Sequence, residues 1–230
     1  MFRGRLSRLK GLNPGLDLDA LEPGDEVLVW QRSAGHLSRS IGSADRGRLS
    51  HGEPLPPGEK YEILYPHRTF GTYYTVSEIV RVMDGFARRF PDAIPVMIGD
   101  MSFRTGRHIR PHKSHRSGRD VDISYPRKRP PPNYRRFHRA TRRVFDARKA
   151  LWMIKSFVQG GKVEYIFMDH YIQRRLVREA RREGAPEEWI RAVFQYPHWH
   201  GGHAIVRHAR GHRNHFHVRF KCQPTDRYCR

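Results

Sequence analysis

The chain has 230 residues, enough for one domain with a proper core and short for two independent ones. An apolar share of 37%, with twelve Phe and four Trp, excludes wholesale disorder although 29% of residues are charged. Lys plus Arg number 44 against 23 Asp plus Glu, a formal charge of +21 that attracts anionic envelope polymers, nucleic acid and acidic membrane surfaces alike and so names no single partner.

The first stretch, MFRGRLSRLKGLNPG, has the positive charge of a signal-peptide n-region but no apolar h-region after it, so a leader is expected either to have been removed or never to have existed. Residues 1–37 mix Gly, Pro and charge around one apolar run, Glu26 to Trp30, which reads as a strand or the remnant of a small module; 1–37 is therefore an N-terminal extension and 38–230 the main domain. Gly47 to Tyr61 carries turn residues at nearly every other position and reads as an ordered covering loop. From Thr75, the residues Val76, Ile79, Val80, Met83, Phe86 and Phe90 recur at helical spacing up to the stop at Pro91. Strands are expected at Ile94 to Asp100 and Asp120 to Tyr125, with a Gly- and His-rich loop between them. After the break at Pro126 to Pro132, a helical pattern covers 137–158, followed by a strand at Val163 to Phe167, helices over 171–183 and 186–195, and a last strand at Asn214 to Phe220. No apolar run is long enough for a membrane span. The sum is an α+β domain, a largely antiparallel central sheet flanked by helices.

Two cysteines, Cys222 and Cys229, are too few for a four-thiolate zinc site or a disulfide-framework miniprotein. A bridge between them suits an oxidising compartment and is the expectation, since the spacer can close if the chain turns at Pro224 to Asp226; two ordinary thiols are the alternative.

Among fifteen histidines, spacing selects a few. In the last strand the two-residue period puts His215 and His217 on one face and Phe216 and Val218 on the other. By the same period Asp120, Asp122 and Ser124 share a face, with Val121 and Ile123 directed at the core. Six residues intervene between His115 and Asp122, with Gly118 in the turn, so the imidazole can fold back toward that carboxylate. His115, Asp122 and His217 then offer two nitrogens and one oxygen, with a fourth position left for water, which is the arrangement of catalytic rather than structural zinc. The bland alternative is a solvated loop and a strand with partly exposed imidazoles.

The segments GDMSFRTG, HKSHRSGRDVDIS and GHRNHFHVRF, with GRLSHGEPLP and HRTFGT upstream, resemble the penicillin-insensitive murein endopeptidases, members of the LAS group of metallopeptidases that also includes lysostaphin-type and D-Ala-D-Ala peptidases. The resemblance runs from about Ser40 to the final Cys. It implies a LAS/hedgehog-type fold, a Zn2+ cofactor held by His115, Asp122 and His217, His215 beside the metal's water, His212 as a second imidazole lining the site, and a further metal contact at His112. It also implies hydrolysis of peptidoglycan cross-links at D-alanyl-containing bonds, in the periplasm or elsewhere in the envelope. The stretch FDARKALW departs from some members, because Lys149 stands where an imidazole is expected beside Asp146, which argues against a second zinc.

Two other readings compete. A zinc- or wall-binding protein without catalysis would need a hidden defect, because the ligand set and both further imidazoles are present. A basic nucleic-acid-binding protein is suggested by the charge and by the superficial likeness of HRNHFH to histidine nucleases, but the basic residues run from Arg3 to Arg230 without a block or basic-aromatic stripe, so no specific nucleic acid is expected.

Overall fold

The computed structural model describes residues 9–10, 12–28, 37–198 and 203–230. Two compact units divide the chain, Met1–His36 and Leu37–Arg230. In the first, the Asn13 side chain donates to the Leu9 and Leu28 carbonyls at 2.8 and 3.0 Å and accepts from the Leu28 N–H at 2.8 Å. Both Leu28 backbone groups are thereby used by a side chain, and the described part of the expected strand, 26–28, is irregular. Val29 and Trp30 lie outside the described residues.

The second unit is α+β. Its six-stranded sheet runs β4 (Tyr61–Ile63), β6 (Val96–Ile98), β7 (Asp120–Ser124), β10 (His215–Phe220), β8 (Val163–Met168) and β9 (Val206–His208). The three inner pairings are antiparallel and the two outer ones, β4 with β6 and β8 with β9, are parallel. Two small antiparallel ribbons stand apart, β1 (Arg39–Ile41) with β2 (Arg48–Ser50) and β3 (Glu53–Pro54) with β5 (Phe70–Gly71). The expected loop over 47–61 therefore contains strands: Glu53 and Pro54 find partners in Gly71 and Phe70, which are remote in sequence.

Helix α1 (Tyr73–Arg89) begins where the Thr72 side chain accepts from the Thr75 N–H, and it buries Val76, Ile79, Val82, Met83 and Phe86. Helix α2 (Ala147–Gln159) starts ten residues later than the periodicity suggests, because Asp146 caps it by accepting from the Lys149 N–H at 3.1 Å. Upstream of the cap, main-chain groups are taken by distant partners: the Ala140 N–H donates to the Arg213 carbonyl, Lys128 to Val144 and Asp146 to Pro126. Those bonds hold 137–146 irregular, so the helix expected over 137–158 is shorter. Helices α3 (His170–Arg182) and α4 (Glu187–Val193) follow the expected spans closely.

Strand alternation divides the sheet as the sequence implies. Val121, Ile123, Phe216, Val218 and Phe220 are fully buried on the apolar face, where Phe157 of α2 sets its ring 6.4 and 6.1 Å from those of Phe216 and Phe220. The opposite face is polar yet also withdrawn from water: Asp120, Asp122 and His217 are all buried. Buried ionisable groups must pair or bind a cation, so this face is where chemistry is to be sought.

Cys222 and Cys229 are joined, with α-carbons 5.8 Å apart. The bridged segment is docked by the Gly42 N–H to the Tyr228 carbonyl, the Ser40 N–H to Asp226 Oδ2, and the buried Arg119 guanidinium to the Phe220 and Arg230 carbonyls. A loop this short constrains the unfolded chain by about 2.5 kcal/mol. Reduction, or Cys229→Ser, is therefore expected to lower the melting temperature by about 5–10 °C for a unit of this size. Thermal melts with and without reductant, alongside a thiol titration in denaturant that finds no free thiol before reduction, check both points.

Candidate metal centre

The antiparallel register sets His217 of β10 directly opposite Asp122 of β7, and His215 opposite Ser124. On the polar face His217 Nδ1 lies 3.0 Å from Asp122 Oδ1 and 3.1 Å from His115 Nε2, and His115 Nε2 lies 3.4 Å from the same carboxylate oxygen. Two imidazole nitrogens facing each other at that distance cannot both present lone pairs without a shared cation, a proton or a metal, between them. Tetrahedral coordination with bonds of about 2.0–2.1 Å separates neighbouring donors by roughly 3.3 Å, close to this triangle.

The outer nitrogens fix which ring atoms face inward. His115 Nδ1 donates to the Met101 carbonyl at 3.1 Å, leaving the Nε2 lone pair toward the cluster. His217 Nε2 donates to Asp120 Oδ1 at 2.8 Å, leaving Nδ1 inward. Asp120 is thus the carboxylate behind a histidine that metal sites commonly use. Its Oδ1 also accepts from Arg219 Nε at 2.8 Å and its Oδ2 from the His115 backbone N–H at 3.1 Å. That last bond holds His115 at φ 64, a left-handed conformation uncommon for a residue with a side chain. Gly118, which turns the loop into β7, sits at φ +71, and a Cβ there would meet Leu49 side-chain atoms at 2.7 and 2.9 Å.

His112 brings a third imidazole near the cluster. His112, His115 and Asp122 offer one donor atom each within 4.8 Å of one another and could hold a metal ion. His112 is the looser member: its Nδ1 is 3.9 Å from Asp122 Oδ2, while its Nε2 is bound to Asp100 Oδ2 at 3.0 Å. The His217 contacts are shorter than those of His112, and both of its ring nitrogens are oriented by carboxylates.

His215 Nε2 stands 3.7 Å from Asp122 Oδ1, and its Nδ1 is 2.7 Å from Asn214 Oδ1. As the amide oxygen accepts only, Nδ1 carries the proton and the Nε2 lone pair is directed at the cluster. The ring stacks on Phe137 at 4.9 Å and 18°, and the His212 ring lies tilted to it at 4.8 Å. Gly99 makes room for this wall, since a Cβ there would fall 2.5 Å from Phe137 Cζ. His212 Nδ1 donates to the Arg210 carbonyl at 3.0 Å, while its own carbonyl accepts from Tyr125 Oη at 3.0 Å.

Charge follows from these contacts. Burial alone disfavours the His217 imidazolium, but the Asp120 charge and hydrogen bonds to Asp120 and Asp122 outweigh it and push the pKa up to about 9. Burial opposes ionisation of Asp122 as well, yet the neighbouring His115 and His217 hold its carboxyl well below the usual range. His215 goes the other way: burial, only partly offset by Asp122, pushes it down to about 4, so its imidazole is neutral at pH 7. Burial likewise lowers His212, and the hydrogen bond to Asp100 raises His112.

The residues singled out by spacing thus converge, apart from the bridged Cys222 and Cys229 on the docked C-terminal segment. Asp146 caps α2 and pairs with Lys149 Nζ at 2.8 Å. Phe137 was hidden by the expectation of a helix through its position, and Asp120, legible as a same-face neighbour of Asp122, gave no sequence sign that it would sit behind His217.

Residues 40–230 match the family described as penicillin-insensitive murein endopeptidase. The chain belongs to this family. Relatives carrying that name include one from Haemophilus influenzae, 28% identical over 225 residues, covering 88% of this chain and 72% of the relative. The Yersinia enterocolitica protein is 29% identical over 233 residues, covering 92% and 77%, and that of Pectobacterium atrosepticum 28% over 220 residues, covering 86% and 70%. In this member of the murein endopeptidase family, the matched region includes every histidine and carboxylate of the cluster.

Proposed function

We propose that residues 38–230 form a zinc-dependent endopeptidase that cleaves D-alanyl peptide cross-links of peptidoglycan in the periplasm or elsewhere in the envelope, with 1–37 an appended extension. Family membership supports peptidoglycan hydrolysis. The observation that carries the metal reading is the buried triangle of His115 Nε2, His217 Nδ1 and Asp122 Oδ1, each oriented from behind or across the strand. Nitrogen and carboxylate donors without sulfur suit catalytic zinc. His112, committed to Asp100, is assigned an outer contact.

Zinc held by His115, Asp122 and His217 would supply Lewis acidity, lowering the pKa of water to about 7 and polarising a carbonyl. The rest falls to the chain. His215, neutral with its Nε2 lone pair directed at the cluster, takes a proton from the attacking water at Nε2 and delivers it to the leaving amine. Phe137 and His212 hold the ring plane, and Asn214 Oδ1 holds the tautomer. His212, neutral and adjacent, steadies the oxyanion or the amine. No serine or cysteine nucleophile takes part, so β-lactams that acylate such a nucleophile have no target here. Among the described residues no helix is long and apolar enough to cross a membrane, and the charge of +21 favours retention on anionic envelope polymers.

The test is digestion of purified cross-linked muropeptides. Cleavage at the D-alanyl bond is expected, its loss on chelation and its return with stoichiometric zinc. Full cleavage by chelated, metal-free protein would end the zinc reading.

A further inference from the structure

Next to the histidine cluster lies a cleft of about 410 Å³ lined by Arg139, Asp169, Arg210, Gly211, Arg213 and Asn214. We propose that it is a carboxylate-binding subsite, in which Arg139 and Arg210 clamp a free carboxylate of the substrate peptide and so set specificity. The inference rests on the endopeptidase reading above.

Four observations carry it. First, the cleft is continuous with the reacting region through Asn214, whose Oδ1 accepts from His215 Nδ1 at 2.7 Å and which also lines the cleft. Second, its charges do not cancel. Among the described lining residues the one acid, Asp169, is committed: its Oδ1 accepts from the Tyr171 N–H at 2.9 Å and its Oδ2 meets Arg213 Nε at 3.1 Å. Arg139 and Arg210 have no acidic partner among the described residues, so two guanidiniums stand open to solvent at one opening. Third, the walls are braced, because the Ala140 N–H donates to the Arg213 carbonyl at 2.8 Å and the Asp169 N–H to the His212 carbonyl at 3.2 Å. The stem of each arginine is therefore on backbone tied to the segment that carries His212 and His215. Fourth, guanidinium is the cation whose forked donors match a carboxylate. Scattered surface arginines in a basic protein would satisfy the second observation but not the first or third.

The lining includes none of the proposed metal ligands, so a carboxylate bound here would not compete with them. The expected preference is for peptides carrying a free carboxylate over the same peptides amidated. A partly exposed two-arginine clamp should be worth about tenfold in kcat/KM, and the preference should shrink with added salt.

The experiment compares cross-linked muropeptide dimers bearing free α-carboxylates with the same dimers converted to primary amides, on the zinc-loaded protein, its Arg139→Ala/Arg210→Ala variant and its Arg139→Lys/Arg210→Lys variant. Calorimetric binding of the uncrosslinked acid and amide peptides runs in parallel. The acid-over-amide ratio should fall from about ten to about one in the alanine variant, through KM rather than kcat, and recover in part with lysine. An unchanged ratio in the alanine variant, or equal affinity of the wild type for acid and amide, would overturn the subsite. If the wild type cleaves neither dimer, the endopeptidase reading fails, while the calorimetric ratio still decides the subsite.

Discussion

His217→Ala is expected to strip the zinc and abolish cleavage together. A structural zinc site is worth about 10–16 kcal/mol over four ligands, so one ligand of three carries roughly 3 kcal/mol or more, a loss of over a hundredfold in affinity. Of the proposed ligands His217 has the most support behind it, since Asp120 Oδ1 accepts from its Nε2 at 2.8 Å and Asp122 Oδ1 is 3.0 Å from its Nδ1. Removing the imidazole leaves Asp120 with Arg219 Nε and the His115 N–H, enough to keep the buried carboxylate partnered. The apoprotein should therefore still melt cooperatively, and metal content per folded chain is the measurement. Asp122→Ala should behave alike. His112→Ala should keep near-normal zinc, because His112 is bound to Asp100 and stands 3.9 Å from the Asp122 carboxylate. Normal zinc in His217→Ala together with loss in His112→Ala would reassign the site to the other triad.

His215→Ala should keep the zinc and lose about 100-fold to 10,000-fold in kcat, the usual worth of positioned proton transfer. The ring reaches the cluster through Nε2, 3.7 Å from Asp122 Oδ1, but the triangle closes without it. Metal analysis and steady-state kinetics on the same preparation decide the case. Zinc loss would make His215 a ligand. Retention of both zinc and activity would move the base to His212, whose ring lies 4.8 Å from that of His215. Asp120, which spacing alone leaves as a further candidate, is fully buried, with both oxygens engaged by His217, Arg219 and the His115 backbone. It orients a histidine and has no open oxygen for a water.

By itself the amino-acid sequence determined what depends on short-range periodicity. The two-residue alternation of DVDIS and HFHVRF separates Val121, Ile123, Phe216 and Val218 from Asp120, Asp122, His215 and His217. The helical spacing from Val76 to Phe86 similarly marks the buried face of α1. These patterns are local because each side chain's direction follows from the backbone geometry of its own strand or helix.

Tertiary structure alone decided what depends on partners remote in sequence. The register that sets His217 against Asp122 spans 95 residues, and no spacing within either strand specifies it. The expected helix over 137–158 lost its first ten residues because Ala140, Lys128 and Asp146 bond to Arg213, Val144 and Pro126, while Asp146 caps α2. That irregular stretch is what lays Phe137 on His215 and brings Arg139 beside Arg210 and Arg213. Helical propensity is worth only tenths of a kcal/mol per residue, less than the net worth of a few long-range hydrogen bonds and a buried aromatic contact, so the distant partners win.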